Sequence, residues 1–220
     1  MPTPRTSDAA PAATTGDVLV LVPVKAFAVA KVRLADVLDP DERARLAREL
    51  AAGVLRAAAP HAVAVVCDDE DVAAWARSLG ASVSWQPGAG LNRAIGAAYR
   101  DAGAAGRRRV VVVHGDLAFP APLSEFVTRS AGGPDDVVLV ADRRRDGTNV
   151  LSVPTGHELR FRYGAGSFDA HRAEADGLGL SVRVHDDDHL AWDVDVPGDL
   201  TPPPELGLWP SSLPPRSAGA

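Results

Sequence analysis

Several features that would fix the class of a protein at a glance are scarce or missing here. There is one cysteine in 220 residues, so an intrachain disulfide framework is excluded and Cys67 cannot build a thiolate metal site by itself. It closes the apolar run from Ala62, where an inert, partly buried thiol is expected. No apolar stretch approaches the roughly 18 residues needed to span a bilayer, and the first residues lack the charged-then-apolar order of a signal segment. A cytoplasmic protein is expected, with no membrane partner. The net charge of −6 argues against general affinity for nucleic acid. The six histidines show neither metal-ligand spacing nor an identifiable triad. Lysine is the scarcest charge: Lys25 and Lys31 are the only two.

What is present is an ordinary globular composition, 46% hydrophobic and 24% charged, long enough for one domain with a sizeable core. Residues 1–16, rich in Pro, Thr, Ser and Ala, read as a disordered leader, and 202–220 as a proline-rich tail whose Leu206, Leu208 and Trp209 can dock on the body. Between them, over 17–201, strand-like runs alternate with helical patterns. Val18 to Val24 reads as a strand. Asp39-Pro40-Asp41-Glu42 gives an N-cap, a proline at the first helical position and an acid three residues past the cap. Further strands are expected at 62–67, 82–85, 110–113, 136–140, 150–153 and 180–184, and helices at 71–79, 91–104 and 167–176. That alternation implies βαβ units and a largely parallel sheet.

Two acidic stretches stand out. Val110-Val111-Val112-Val113-His114-Gly115-Asp116 reads as a buried parallel strand that delivers Asp116 to a carboxyl edge, where open α/β sheets bind ligands. Asp193 and Asp195 lie two apart in an extended segment, which points both carboxylates to one face. Two carboxylates about 4 Å apart repel by about 4 kcal/mol at an effective dielectric near 20, so a shared divalent metal is expected, with magnesium favoured by oxygen ligation and phosphate substrates. Asp199 is expected to cap the turn at Pro197. After the first strand, Lys25, Lys31 and Arg33 place three cations within nine residues, where α/β sheets hold nucleotide phosphates. No glycine accompanies them, so this is neither a Walker loop nor a dinucleotide fingerprint. Gly164-Ala165-Gly166-Ser167 opens a helix with free N–H groups and a hydroxyl, a ready anion site. The arginine triplets at 107–109 and 143–145, and Asp186-Asp187-Asp188-His189, are read as solvated helix ends and turns. His114 is read as structural.

In order along the chain, Pro23-Val24-Lys25 with Lys31-x-Arg33-Leu34, Leu91-Asn92, Gly115-Asp116-Leu117, Asp142 with Gly147-Thr148-Asn149, Tyr163-Gly164-x-Gly166-Ser167-Phe168 with His171, and Asp193-Val194-Asp195 with Asp199-Leu200 resemble the 2-phospho-L-lactate guanylyltransferase family, which serves biosynthesis of the deazaflavin coenzyme F-420. The resemblance implies a single-domain α/β nucleotidyltransferase fold of the glycosyltransferase-A-like, Rossmann-like kind, with a mixed, mainly parallel sheet flanked by helices. It also implies GMP transfer from GTP to a phosphorylated carboxylic acid with release of pyrophosphate. Phosphoenolpyruvate is the expected acceptor, ahead of 2-phospho-L-lactate or 3-phosphoglycerate, and a downstream transferase is the expected recipient of the product. On this reading Asp116, Asp193 and Asp195 hold Mg²⁺, Lys25, Lys31 and Arg33 neutralise the triphosphate, Asn92 contacts the nucleoside, and Thr148, Gly164 and Ser167 seat the acceptor. One departure is visible: the family's Asp-Leu-Pro is here Asp116-Leu117-Ala118, with proline delayed to Pro120. Other nucleotidyltransferases of the fold, of molybdopterin or sugar-phosphate type, open with a glycine-rich loop that this chain lacks. A catalytically silent nucleotide-binding protein is the third reading, separable by GTP binding without turnover.

Overall fold

The computed structural model describes residues 15–207 and Trp209. Most of the expected leader, and Leu208 of the expected tail, lie outside those residues. Among the described residues, seven strands form one sheet: β1 (Val18–Pro23), β2 (Ala62–Cys67), β3 (Ser82–Trp85), β4 (Arg109–Val113), β5 (Asp136–Ala141), β6 (Thr148–Pro154) and β7 (Ser181–Val184). Their order is β3-β2-β1-β4-β6-β5-β7. Strand β6 runs antiparallel to both β4 and β5, and every other pairing is parallel.

Five α-helices of the described residues cover the sheet: α1 (Pro40–Ala57), α2 (Glu70–Ser78), α3 (Leu91–Ala104), α4 (Leu123–Ser130) and α5 (Ser167–Gly177). The start signal of α1 is realised in full. The Asp39 carboxylate accepts from the Glu42 N–H at 2.8 Å, and the Glu42 carboxylate accepts from the Asp39 N–H at 2.9 Å, which satisfies two donors that a helix start leaves orphaned. Helix α4 has no counterpart in the sequence reading.

Strand alternation sorts the core. Val18, Val20, Val22, Val111 and Val113 pack with residues of α1, α2 and α4 on one face. Leu21, Val110, Val112, Leu139 and Leu151 pack with α3 and α5 on the other. With both faces covered, all five residues of β4 are buried, as expected of a central strand. Arg109, at the start of β4, is 3% exposed rather than solvated. Its guanidinium donates to the carbonyls of Asp136 and Gly133 and to Ser152 Oγ. Burial, the largest influence, lowers its pKa to about 10, and the repulsion of Arg183 adds to the drop.

A third, smaller cluster positions the site. Leu34 and Leu38 from the loop after β1, Leu46 and Leu50 from α1, Ala118 and Phe119 from the segment after β4, and Trp192, Val194, Leu200 and Leu206 from the C-terminal segment pack together. Leu206 and Trp209 dock on this cluster, so the folded body extends beyond residue 201. Among the described residues, no helix is long and apolar enough to cross a membrane.

Candidate active site

That cluster joins the three segments carrying the charged residues. Leu34 follows Lys31 by three positions, Ala118 follows Asp116 by two, and Val194 lies between Asp193 and Asp195. Backbone bonds complete the arrangement: Leu117 bridges Asp193 in antiparallel fashion, Val194 N–H donates to Asp116 O at 3.1 Å, and Ala118 N–H donates to Trp192 O at 3.1 Å. The departure at Ala118 thus supplies a donor that proline lacks. Strand β4 ends at Val113, and the turn that follows brings Gly115 close to β1. A Cβ on Gly115 would stand 3.5 Å from Ala51 Cβ, Pro23 O and Val22 Cγ1.

At the centre is Lys31. Its Nζ donates to Asp116 Oδ2 at 2.8 Å and Asp195 Oδ1 at 3.0 Å, with its side chain 10% exposed. Arg33 approaches Asp195 Oδ2 at 3.8 Å from solvent. Burial opposes the ammonium charge, but Asp116 and Asp195 outweigh it and hold the Lys31 pKa above its ordinary value. Burial likewise opposes the Asp116 carboxylate, and the attraction of Lys31, then of His114, holds its pKa low. Lys31 has φ 53° and ψ 38°, a left-handed conformation that costs a non-glycine residue of order 1–3 kcal/mol and collects at functional sites. The cation that the acidic stretches call for is, in this structure, a lysine.

Asp193 and Asp195 sit in unlike surroundings. Asp193 is 7% exposed, and burial, reinforced by Asp116 and Asp195, raises its pKa to about 6. Among the described residues, Asp193 Oδ1 and Asp116 Oδ1 are buried without a hydrogen-bond partner. Among the described residues, no group of three or more histidine, cysteine, aspartate or glutamate side chains is arranged to hold a metal ion. Lys31 occupies the space between two of the three aspartates. Asp199 caps the turn at Pro197, accepting from the N–H groups of Asp195 at 2.7 Å and Val196 at 2.9 Å. It is also fully buried and ion-paired with Arg143 and Arg144, and Arg143 lies over the Trp192 ring at 4.2 Å. Those two arginines are therefore anchors of the acidic segment, not a solvated loop. Asp187 does form an ordinary turn, accepting from the N–H groups of His189 and Leu190.

A cleft of about 530 Å³ opens above the carboxyl ends of β1, β2 and β4, and Lys25, Lys31, Arg33, Asp116 and Asp195 line it. Lys25 is exposed at its wall. His114 also lines it, with its ring 5.0 Å from that of Tyr163 and its Nε2 buried without a hydrogen-bond partner among the described residues. Asn92 is not among the lining residues. Both ends of its amide are committed to Tyr163, accepting from the N–H at 2.7 Å and donating to the carbonyl at 3.0 Å. Thr148, Gly164 and Ser167 lie outside this wall too. Thr148 is 1% exposed and Ser167 2%, and their hydroxyls face each other at 3.5 Å. His171 accepts from the Arg162 N–H through Nε2, so Nδ1 carries the hydrogen toward Thr148 Oγ1 at 3.0 Å. Burial, the main cause, lowers the His171 pKa to about 4 and keeps the ring neutral. Two of the four N–H groups of the Gly164–Ser167 turn are engaged, Gly166 donating to Asp146 Oδ1 and Ser167 to Gly164 O, and beyond the turn Phe168 donates to Asp146 O. Two polar residues on the cleft wall, Asp68 and Gln86, escape the sequence reading. Asp68 follows β2 as Asp116 follows β4, and the same strand-then-acid pattern marks it.

The family described as guanylyl transferase CofC like matches residues 18–203. The chain belongs to this family. Among curated relatives of this CofC-like chain, the phosphoenolpyruvate guanylyltransferase of Rubrobacter xylanophilus is 37% identical over 188 residues, covering 83% of this chain and 91% of the relative. The 2-phospho-L-lactate guanylyltransferase of Methanothermobacter thermautotrophicus is 35% identical over 186 residues, covering 82% of this chain and 81% of the relative. Solved structures share the fold. A nucleotidyl transferase from a Methanothermobacter superposes with a TM-score of 0.59 at 15% identity, over 83% of this chain and 93% of that one. CMP:2-keto-3-deoxy-manno-octonic acid synthetase, complexed with CTP, superposes with a TM-score of 0.54 at 10% identity, over 84% and 95%. The single-domain α/β nucleotidyltransferase-like fold of the CofC-like chain stands as the sequence implies.

Proposed function

We propose that this CofC-like protein transfers GMP from GTP to phosphoenolpyruvate, releasing pyrophosphate, as a step of coenzyme F-420 biosynthesis. The observation that carries the reading is the Lys31 ammonium held between Asp116 and Asp195 at the end of the central strand, inside a cleft lined by Lys25 and Arg33. The name of the relative from Rubrobacter, the more similar of the two at 37% identity, supports phosphoenolpyruvate as acceptor over 2-phospho-L-lactate. The names of both reported relatives also favour guanylyl transfer over a molybdopterin-type, sugar-phosphate-type or silent protein.

In this reaction an oxygen of the acceptor phosphate forms a bond to the α-phosphorus of GTP. The bond from that phosphorus to the β-phosphate oxygen breaks, and its electron pair leaves with pyrophosphate. The attacking phosphate is already anionic near neutral pH, so no general base is required, and the protein's task is positioning and charge neutralisation. Lys31 fixes Asp116 and Asp195 relative to one another, while Lys25 and Arg33 offset the charge of the polyphosphate. Asp116 with Asp193 or Asp195 would hold a divalent cation, magnesium by its preference for oxygen ligands and phosphates. The two orphaned buried oxygens on Asp116 and Asp193 fit that use, because a buried carboxylate oxygen without a donor is costly unless a cation or hydrogen bond reaches it. When bound, such an ion supplies Lewis-acid polarisation and a template for the two phosphates. Thr148, held by His171, and Ser167 shape the region in which the acceptor's carboxylate and phosphate are seated.

Isotopic labelling tests the direction of transfer. With phosphoenolpyruvate present, label in the α-phosphate of GTP is expected in a new mixed diphosphate, and label in the γ-phosphate only in pyrophosphate. Label from the γ-phosphate in the acceptor product would mean a different group is transferred, and would overturn the reading.

A further inference from the structure

The cleft has a second acidic wall that phosphate chemistry does not explain. Asp68 directly follows Cys67, the last residue of β2, and lines the same cleft as Asp116. It and its neighbour differ in what they do for the fold. The Asp69 carboxylate accepts from the Val72 N–H at 3.0 Å and caps α2. The Asp68 side chain is exposed, and no hydrogen bond or ion pair engages it among the described residues. Strand β1 separates β2 from β4, so their carboxyl ends stand about 10 Å apart, two strand spacings. A nucleotide spans a comparable distance from the outer edge of its base to its α-phosphate. With the phosphates at Lys31 and Asp116, the base therefore falls toward the β2 end.

We propose that Asp68 reads the Watson–Crick edge of guanine, a step that rests on the guanylyl-transfer reading above. Guanine presents two adjacent donors there, N1–H and the N2 amine, and a carboxylate is the side chain that accepts two parallel N–H bonds. Adenine offers the lone pair of N1 at the same place, and xanthine a carbonyl oxygen where guanine has the amine. Each sets an acceptor against the carboxylate. Rejection of the mismatched base then comes from unpaired acceptors facing one another, the stronger kind of discrimination. An asparagine at 68 presents one acceptor and one donor, which match the N1–H and the C2 carbonyl of xanthine.

The test is calorimetric titration of wild-type protein and Asp68→Asn with GTP, XTP, ITP and ATP, with magnesium and without acceptor, so that no turnover intervenes. The expected result is a GTP-to-XTP affinity ratio that falls by about a hundredfold or more in Asp68→Asn, since two charge-assisted bonds are exchanged. Asp68→Ala is expected to bind GTP and ITP equally, because ITP lacks only the amine that the carboxylate reads. An unchanged ratio in Asp68→Asn, or equal weakening of all four nucleotides, would overturn the assignment. Wild-type protein that binds GTP no better than ATP would instead refute the guanylyl reading from which the assignment starts.

Discussion

Replacing Asp116 by asparagine is expected to lower turnover by about a thousandfold while leaving the protein folded. The size follows from where charge must be controlled: removing one pre-positioned electrostatic group from a site of this kind costs a hundred- to a thousandfold, and loss of a proposed metal ligand adds to it. The fold is expected to survive because asparagine keeps a carbonyl oxygen for the Lys31 ammonium, and Lys31 keeps Asp195 at 3.0 Å. The backbone bond from Val194 N–H to Asp116 O does not depend on the side chain. Steady-state pyrophosphate release, read beside a urea unfolding curve, checks both halves. Turnover within tenfold of wild type would remove Asp116 from the reaction. A large fall in unfolding midpoint would turn its role into a structural one.

Asp199 is expected to behave in the opposite way, with Asp199→Ala destabilising the protein by about 2 kcal/mol, the order of cost of leaving buried backbone donors without an acceptor. The carboxylate is fully buried, and two arginines and two backbone N–H groups depend on it. Alanine strands the two N–H groups, while the guanidinium groups of Arg143 and Arg144 can turn to water. Because two of those donors belong to Asp195 and Val196, activity is expected to fall as well, through the freed position of Asp195. Asp199→Asn, which can still accept from the N–H groups, is expected to lose less stability than alanine. Chemical denaturation of the three proteins gives the ranking, and equal stability of Asp199→Ala and wild type would contradict the anchoring role.

These two aspartates also show what a sequence discloses. The capping box at Asp39, the four valines before His114 and the strand runs at Ala62 and Ser82 are local patterns, and the structure realises each of them nearly at its expected bounds. Helix α4 is missed because prolines at 120 and 122 and the absence of a side-chain cap leave its start without the usual signal. The site itself is only half legible. The strand-end acid and the lysine-bearing loop announce themselves, but the contacts of Lys31 span 85 and 164 positions, and no local spacing encodes them. Arginine residues 143 and 144 read as a charged loop for the same reason, since their partner lies 56 and 55 positions away. The Gly164–Ser167 turn adds a long-range contact of its own. Its composition offers free N–H groups, and the fold uses one of them, that of Gly166, on Asp146, 20 positions upstream. Asn92 reads as a nucleotide contact from its place at the start of α3, while the pairing of its amide with the Tyr163 backbone, 71 positions away, has no local signal.

Strain and charge at Lys31 converge on the same point. A left-handed lysine with two carboxylates on its ammonium persists only because Leu34 behind it and Val194 across from it are locked in one small core. This core gives the chain a charged centre that holds its geometry before any substrate arrives, the kind of preorganisation that makes positioning catalysis effective.

The most direct test of the account is pyrophosphate release by the wild-type protein supplied with GTP, Mg²⁺ and, in turn, phosphoenolpyruvate, 2-phospho-L-lactate and 3-phosphoglycerate, with product drawn off by a coupled downstream transferase. Release that requires GTP and is fastest with phosphoenolpyruvate is the expected result. No release above background with any of the three acceptors would contradict it.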